Sequence, residues 1–413
     1  MRYGLIGEHL GHSFSKDIHE QIGEYPYSLQ ELSPEELEGF INAREFKAIN
    51  VTIPYKEKVI KYLDEVSDEV LNIGACNTIV NRDGKLCGYN TDYRGMKDML
   101  LKGDINVKDK KVLILGTGGT SRTASSLLTD LGASLVRKAS RRQSDDENVI
   151  SYHDLIDKCR DVQIIINTTP CGMYPNNSFK PLSIDMFPKL EGVADVIYNP
   201  LRSRLLLDAQ ANGLKSIGGL YMLVSQAIHA NALFCDHEVY YDKMESIYNN
   251  LLTKKENICL IGMPSCGKST VGKMISARLD RTFYDSDTLI EEKVGMAVDQ
   301  YIHQKGIESF RQIESEVIAD LSKKNGCVIS TGGGSILKEE NVKCLRQNSR
   351  IFFLDRSLQN LTPTADRPLS SDLSALKALF AERYPLYQKV CDERIDADVS
   401  YDEMVESILN TIR

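Results

Sequence analysis

The chain has 413 residues, 42% of them apolar, and a formal net charge of −8. That length suits about three domains, each able to bury a core, while the acidic balance speaks against a general nucleic-acid binder and no apolar run is long enough to span a membrane. Ten cysteines are scattered without any C-x-x-C spacing, so free thiols in a reducing cytoplasm are expected rather than zinc or a disulfide framework.

Short apolar runs alternate with amphipathic segments of helical length, the α/β signature. Residues 1–7 read as a first strand and not as a leader peptide. Ser33-Pro34-Glu35-Glu36 predicts a helix start, with Ser as N-cap, Pro at the first helical position and a capping-box Glu. Asp83-Gly84, between Thr78-Ile79-Val80 and Leu86-Cys87-Gly88-Tyr89, predicts a hairpin. Lys111-Val112-Leu113-Ile114-Leu115 has the pattern of a buried strand; Gly116-Thr117-Gly118-Gly119 follows, then a helical stretch over 120–131. This is a variant of the dinucleotide fingerprint, in which glycines let the backbone approach a pyrophosphate at a helix N-terminus. The next strand, 134–138, runs into Ala139-Ser140-Arg141-Arg142. A carboxylate for the ribose hydroxyls of NAD is missing there, and a serine with two arginines favours the extra phosphate of NADP; a solvated loop carries such arginines too.

A helix is expected over 220–233, and the polar run Thr253-Lys254-Lys255-Glu256-Asn257 marks a boundary. Beyond it, Ile258-Cys259-Leu260-Ile261 leads into Gly262-Met263-Pro264-Ser265-Cys266-Gly267-Lys268-Ser269, which reads G-x-x-x-x-G-K-S, and then into a helical segment, 270–279. Strand, loop and helix in this order make a phosphate-binding P-loop, with Lys268 reaching the outer phosphates and Ser269 on Mg²⁺. Gly262, Gly267, Lys268, Ser269 and Thr270 are the candidate ATP-binding residues.

Further motifs precede the boundary: Ser13-Phe14-Ser15, Asn50-Val51-Thr52-Ile53-Pro54-Tyr55-Lys56, Gly74-Ala75-Cys76-Asn77-Thr78, Gly88-Tyr89-Asn90-Thr91-Asp92, Asn167-Thr168-Thr169-Pro170-Cys171-Gly172-Met173 and Met222-Leu223-Val224-Ser225-Gln226. This ordered set resembles shikimate dehydrogenase across roughly residues 1–250. The resemblance implies reduction of 3-dehydroshikimate by NADPH, with Lys56 and Asp92 as the catalytic pair. It implies that Ser13 and Ser15 bind the substrate carboxylate, and that Thr52, Asn77, Gln226 and Tyr198 complete the substrate site. Gly116, Gly118, Gly119, Ser140, Arg141, Thr168 and Met173 are the implied cofactor residues. Read from the residues alone, Lys56 is also compatible with a surface position and Asp92 with a helix cap. Two positions depart from the family pattern: Ser140 stands where an Asn is usual, and Tyr221 where a small Gly lies near the nicotinamide. An interrupted α/β substrate domain is expected, formed by 1–103 and 215–250, with a Rossmann-type NADP-binding domain over 104–214 and the active site in the cleft between them.

After the P-loop come Phe283-Tyr284-Asp285-Ser286-Asp287, Phe310-Arg311-Gln312-Ile313-Glu314, Gly332-Gly333-Gly334, Asp366-Arg367-Pro368-Leu369 and Glu382-Arg383-Tyr384-Pro385. This set resembles shikimate kinase, which implies a P-loop kinase domain with a parallel sheet over 256–413. By that resemblance Ser269 and Asp285 serve Mg²⁺, and Asp287 contacts the ring hydroxyls and orients the attacking one. Arg311 and Arg383 clamp the carboxylate, Gly332 and Gly333 let the backbone approach the substrate, and Arg367 sits on a lid between about 361 and 373. Arg311 and Glu314, three residues apart on a helix, are also compatible with a plain surface ion pair. The expected protein is a bifunctional cytoplasmic enzyme acting on small molecules, with no nucleic-acid or membrane partner; the sequence leaves its oligomeric state open. Two other readings remain: a quinate-type dehydrogenase fused to a small-molecule kinase, and a binding protein that kept the folds without the chemistry.

Overall fold

The computed structural model describes residues 1–11, 14–362 and 372–412, and the chain divides into two units, Met1–Leu251 and Leu252–Arg413. The first unit contains two sheets. One runs, in spatial order, Ser28–Glu31, Tyr3–Gly7, Ala48–Val51, Thr78–Arg82, Lys85–Tyr89 and Glu65–Val66. Its first three strands are parallel, whereas Thr78–Arg82 runs antiparallel to both neighbours. Asp83 and Gly84 have φ of 52° and 91°. Two successive positive φ values give the turn whose twist matches that of its strands, so the hairpin forms where it was expected. Ile6, Ile49, Ile79 and Leu86 pack from this sheet onto Leu37 and Ile41 of the helix Glu36–Ala43. That helix starts later than the sequence suggested: Pro34 and Glu35 form a turn, and no side chain caps the first helical N–H groups. Half of the capping box is nevertheless made, since the Glu36 carboxylate accepts the Ser33 N–H at 2.8 Å.

The second sheet runs Lys215–Gly218, Gly192–Asp195, Ile164–Asn167, Lys111–Leu115, Leu135–Ser140 and Val149–Ser151, all parallel. This is the doubly wound order, and it reverses between Lys111–Leu115 and Ile164–Asn167; ligands of such sheets lie outside the carboxyl ends of the strands at that point. The sheet continues through Gly218, past the boundary expected at 214, because Lys215–Gly218 is bonded to Gly192–Asp195. The chain rejoins the first sheet only with the helix Leu220–Cys235, which packs on Thr91–Lys102 and Ser15–Ile22. A Cβ on Gly95 would lie 2.7 Å from the Met222 carbonyl oxygen and 3.1 Å from Gln226 Cβ. Glycine therefore permits the close crossing that sets Gln226 against the helix carrying Asp92.

The second unit has a five-stranded parallel sheet in the order Phe283–Asp285, Val328–Ser330, Asn257–Ile261, Ser349–Asp355 and Glu393–Asp396. Ile258 to Ile261 and Ile351 to Leu354 are buried without alternation, as strands covered by helices on both faces must be. Among the described residues no helix is long and apolar enough to cross a membrane, and all ten cysteines are unpaired.

Candidate active sites

In the first unit, Lys56 Nζ lies 2.6 Å from Asp92 Oδ2, with side chains 20% and 11% exposed. The loop before Lys56 is tied down on three sides. Thr52 N–H donates to Ile6 O at 2.9 Å, the fully buried Tyr55 donates its hydroxyl to Leu32 O, and Cys76 N–H donates to Lys56 O at 2.7 Å. Asp92 stands in the first turn of Thr91–Lys102. The cap itself is Asn90, whose Oδ1 accepts Tyr93 N–H, so the capping reading of Asp92 is replaced by the ion pair. Asn77 is buried; its Oδ1 accepts Thr91 N–H at 2.7 Å and its Nδ2 donates to Thr91 Oγ1 at 3.1 Å. It thus fixes the helix start that presents Asp92. Thr52 is half-buried, and Gln226 is buried with Nε2 donating to Leu223 O.

Ser15 opens the helix Ser15–Ile22 and is buried, while Ser13 lies outside the described residues. The neighbouring Phe14 ring packs on Tyr198, with centroids 5.2 Å apart. The turn bearing Tyr198 is shaped by Asp195, which accepts Ile197 N–H, Asn167 Nδ2–H and Ser203 Oγ–H; burial pushes that carboxyl up to about 6. At the switch point, Gly116 has φ 105°, and a Cβ there would meet Thr168 Oγ1 at 3.1 Å. Gly118 precedes the helix Gly119–Asp130, and a Cβ on Gly118 would meet nothing within 4 Å. Thr168 Oγ1 donates to Leu115 O at 2.7 Å; Ser140 Oγ accepts Arg142 N–H at 3.0 Å. Arg141, Arg142 and Met173 are exposed.

In the second unit the loop after Asn257–Ile261 has φ of 148° at Gly262, 64° at Ser265 and 99° at Gly267. Lys268 Nζ donates to the carbonyls of Gly262 (3.0 Å) and Met263 (2.9 Å). Ser269 Oγ donates to Asp285 Oδ2 at 2.6 Å, and Asp285 Oδ1 accepts Asp287 N–H. Ser265, Gly267, Lys268, Ser269, Asp285 and Asp287, with Thr270, Ser330, Thr331, Gly333 and Tyr401, line a cleft of about 260 Å³. The strip Gly332 to Gly334 is walled by side chains: added Cβ atoms would lie 2.5 Å from Asp287 Oδ1, 3.4 Å from Arg383 Nη1 and 2.2 Å from Arg311 Nη2. Arg311 pairs with Glu314 at 2.6 Å, and Ser335 donates to the same carboxylate. Glu314 is 1% exposed and Arg311 half-buried, so the carboxylate of this pair is buried and it is not the surface bridge that helical spacing also allowed. Arg383 is 4% exposed, and its Nε has no hydrogen-bond partner among the described residues. Burial keeps the neighbouring Tyr387 hydroxyl protonated, and it donates to Gly333 O. Arg367 lies outside the described residues.

A family model described as "Shikimate kinase" matches residues 264–413, and one described as "Shikimate dehydrogenase substrate binding domain" matches residues 5–79. A shikimate dehydrogenase (NADP(+)) of Clostridium perfringens is 38% identical over 265 residues, covering 60% of this chain and 97% of that protein. The chain belongs to the shikimate dehydrogenase family. Its C-terminal part is a shikimate kinase domain. Among solved structures, shikimate dehydrogenase 1 from Peptoclostridium difficile superposes with a TM-score of 0.56 at 38% identity, covering 61% of this chain and 98% of that one. The Thermus thermophilus shikimate 5-dehydrogenase in complex with NADP(H) and shikimate gives 0.54 at 30% identity, covering 60% and 99%.

The dehydrogenase unit holds one feature that motif reading passed over and accommodates one departure that it noted. Arg122, on the helix behind the glycine turn, donates Nε–H to Ile73 O at 3.1 Å and pairs with Glu57, the neighbour of Lys56; a single Glu beside a conspicuous Lys gave no signal of this. Tyr221 packs edge-on to Tyr248 at 5.2 Å and donates its hydroxyl to Glu245 at 2.9 Å. Its bulk is thereby accommodated among helices. In the kinase domain, the burial of Glu314 and the place of Tyr401 depend on packing between distant segments and leave no local trace.

Proposed function

We propose that the two units catalyse consecutive reactions. The first reduces 3-dehydroshikimate to shikimate with NADPH, and the second phosphorylates shikimate with ATP and Mg²⁺. In the first reaction bound NADPH supplies the hydride. Ser13 and Ser15 hold the substrate carboxylate, while Thr52, Asn77, Gln226 and Tyr198 hold the rest of the ring. Lys56 gives its proton to the carbonyl oxygen as that oxygen gains charge, and Asp92 orients Lys56. The glycine turn with Thr168 and Met173 suits the dinucleotide, and Ser140 with Arg141 suits its 2′-phosphate.

In the second reaction bound ATP with Mg²⁺ supplies the phosphoryl group. A hydroxyl beside a carboxylate is a hard oxygen donor set of the kind Mg²⁺ takes, which supports Ser269 and Asp285 as its holders. Gly262, Gly267, Lys268 and Thr270 suit the phosphates. Asp287 accepts the proton of the attacking hydroxyl, Arg311 and Arg383 clamp the acid, and Gly332 and Gly333 leave it room. Arg367 adds positive charge. One observation carries this reading: Arg383, a buried guanidinium without an acidic partner among the described residues, stands in the same domain as the P-loop, and burial of such a charge calls for an anion. The first reaction yields an acid of that kind. The ten free thiols support a reducing cytoplasm.

A coupled assay on the full chain tests the proposal. NADPH oxidation is expected with 3-dehydroshikimate, followed by ADP release when ATP is added. NAD-linked oxidation of quinate in place of the first signal would favour the quinate reading, and loss of both signals would favour a binding protein.

A further inference from the structure

Glu24, Cys235 and His237 have no part in the chemistry above, yet a carboxylate oxygen, the thiol sulfur and an imidazole nitrogen of the three all lie within 4.8 Å of one another. Two helix ends bring them together. Ser15–Ile22 closes at Gly23, φ 82°, and Glu24 follows. Leu220–Cys235 closes at Asp236, φ 55°, with Cys235 as its last residue and His237 next. Left-handed residues at both ends turn the chain back toward its helix, and the cluster sits at the carbonyl ends of two helix dipoles, where a positive charge is favoured. The side chains are held in place. Tyr240 stacks on the His237 ring with centroids 4.3 Å apart. Asn231, fully buried one turn before Cys235, has its Nδ2 at 3.1 Å from Glu24 Oε2 and 3.9 Å from Cys235 Sγ, so one amide steadies two of the three groups. Its Oδ1 has no hydrogen-bond partner among the described residues, so the polar needs of the cluster are not met by the protein alone.

The hydrogens of His237 narrow what belongs there. Its Nδ1 lies 2.6 Å from Glu238 O; a carbonyl only accepts, so Nδ1 carries a hydrogen. The neutral ring then turns the lone pair of Nε2 toward Glu24 Oε2, another acceptor, 3.2 Å away. Two acceptors so placed need a positive centre, either a second ring proton or a metal ion. Cys235 decides between them: a proton needs no third donor, whereas sulfur, nitrogen and oxygen together are the ligand set of Zn²⁺ and its late transition-metal neighbours. Around a tetrahedral ion with bonds of ~2.0–2.3 Å the ligand atoms stand roughly 3.3–3.6 Å apart, close to the Oε2–Nε2 spacing already present. The Nδ1–H bond to a backbone carbonyl is the outer contact that orients a metal-binding imidazole. We propose that Glu24, Cys235 and His237 bind a divalent transition metal of the zinc type, with the fourth position left to water, and that the ion fastens the end of Leu220–Cys235 to the turn after Ser15–Ile22. The thiol proton leaves to solvent as the sulfur takes the ion. Cys235-Asp236-His237 with a remote Glu24 has none of the paired-cysteine spacings, which is why the sequence pointed away from zinc.

The test uses the full-length protein, stripped with a chelator, kept reduced with a phosphine and titrated in excess Mg²⁺, which occupies sites made of oxygen donors alone. A single equivalent of Co²⁺ is expected to give a thiolate-to-cobalt charge-transfer band and the intense visible bands of a tetrahedral ion, and Zn²⁺ to displace both. Cys235→Ser should lose the charge-transfer band. His237→Gln and Glu24→Gln should each weaken Zn²⁺ binding by at least about 10- to 100-fold, the scale on which even an outer partner of a metal site is felt. All three variants should keep the circular dichroism and NADPH oxidation of the wild type without added metal. Zn²⁺ should raise the urea midpoint for loss of NADPH oxidation in the wild type and leave it unmoved in Cys235→Ser. No charge-transfer band in the wild type at saturating Co²⁺ would reduce the trio to a hydrogen-bonded ion pair and overturn the site. A band that persists in Cys235→Ser would overturn it too, by placing the ion at another thiol. An equal Zn²⁺ effect on the urea midpoint in both proteins would overturn the fastening.

Discussion

The two glycine turns follow the same kind of buried parallel strand, but their charges are placed differently. The turn from Gly116 to Gly119 carries no basic residue; Arg141 and Arg142 stand at the end of the next strand, exposed. The turn from Gly262 to Ser269 contains its own cation, and Lys268 is 8% exposed and bonded to two loop carbonyls. In the proposed reactions this difference has a reason. The phosphates of the reductant do not react, so they need only a tether, which a distant guanidinium supplies. The transferring phosphoryl changes its charge distribution during the reaction, so a preorganised cation must sit where that charge develops.

The comparison can be broken one unit at a time. The largest expected effect is at Lys56: in Lys56→Ala the turnover of 3-dehydroshikimate reduction should fall ~10²–10⁴-fold, with phosphorylation of added shikimate unchanged. Steady-state NADPH oxidation measures it, and near-normal turnover would remove Lys56 from the mechanism. Lys268→Ala should lower ADP release by about 10²–10³-fold and spare reduction; a parallel loss in both reactions would contradict two independent sites. Arg383→Ala should raise the kinase KM for shikimate by about 10- to 100-fold, while the KM of the dehydrogenase for the same acid stays put. Initial-rate kinetics in both directions distinguish the two, and a KM change in the dehydrogenase alone would refute the clamp.

The smallest expected effect concerns stability. His19 is fully buried, stacked on Tyr27 at 3.9 Å, and burial drives its pKa from 6.5 down to about 3. Between those values the unfolded chain binds a proton that the folded chain does not, so this contribution is present above 6.5 and is lost as pH falls toward 3. The loss amounts to about 2 kcal/mol on going from pH 7 to pH 5. His19→Phe should flatten that part of the profile, read as the urea midpoint for loss of dehydrogenase activity assayed after return to neutral pH. A variant with the wild-type slope would place the acid sensitivity elsewhere.

Local chemistry made much of this legible. Positive φ is cheap at Asp83-Gly84, and the glycine turns with their flanking strands and helices have short-range causes. What escaped the sequence depends on contacts between distant segments. Gly95 reads as a weak helix former until the Leu220–Cys235 helix is laid across it. Residues Lys215–Gly218 look like the approach to a helix, but pairing with Gly192–Asp195 makes them the sheet's edge strand. Arg311 and Glu314 have the spacing of any exposed pair, and only the packing around Ser335 shows that the carboxylate lies inside. Ser13 and Arg367, both expected from motifs, lie outside the described residues.

The Arg122 link has a mechanical corollary. One end of it rides on the helix behind the proposed coenzyme turn, and the other grips the residue next to the proposed proton donor. Shortening that strut, as in Arg122→Lys, would be felt at both ends at once, so coenzyme affinity and the turnover of reduction should drift together across a series of substitutions there.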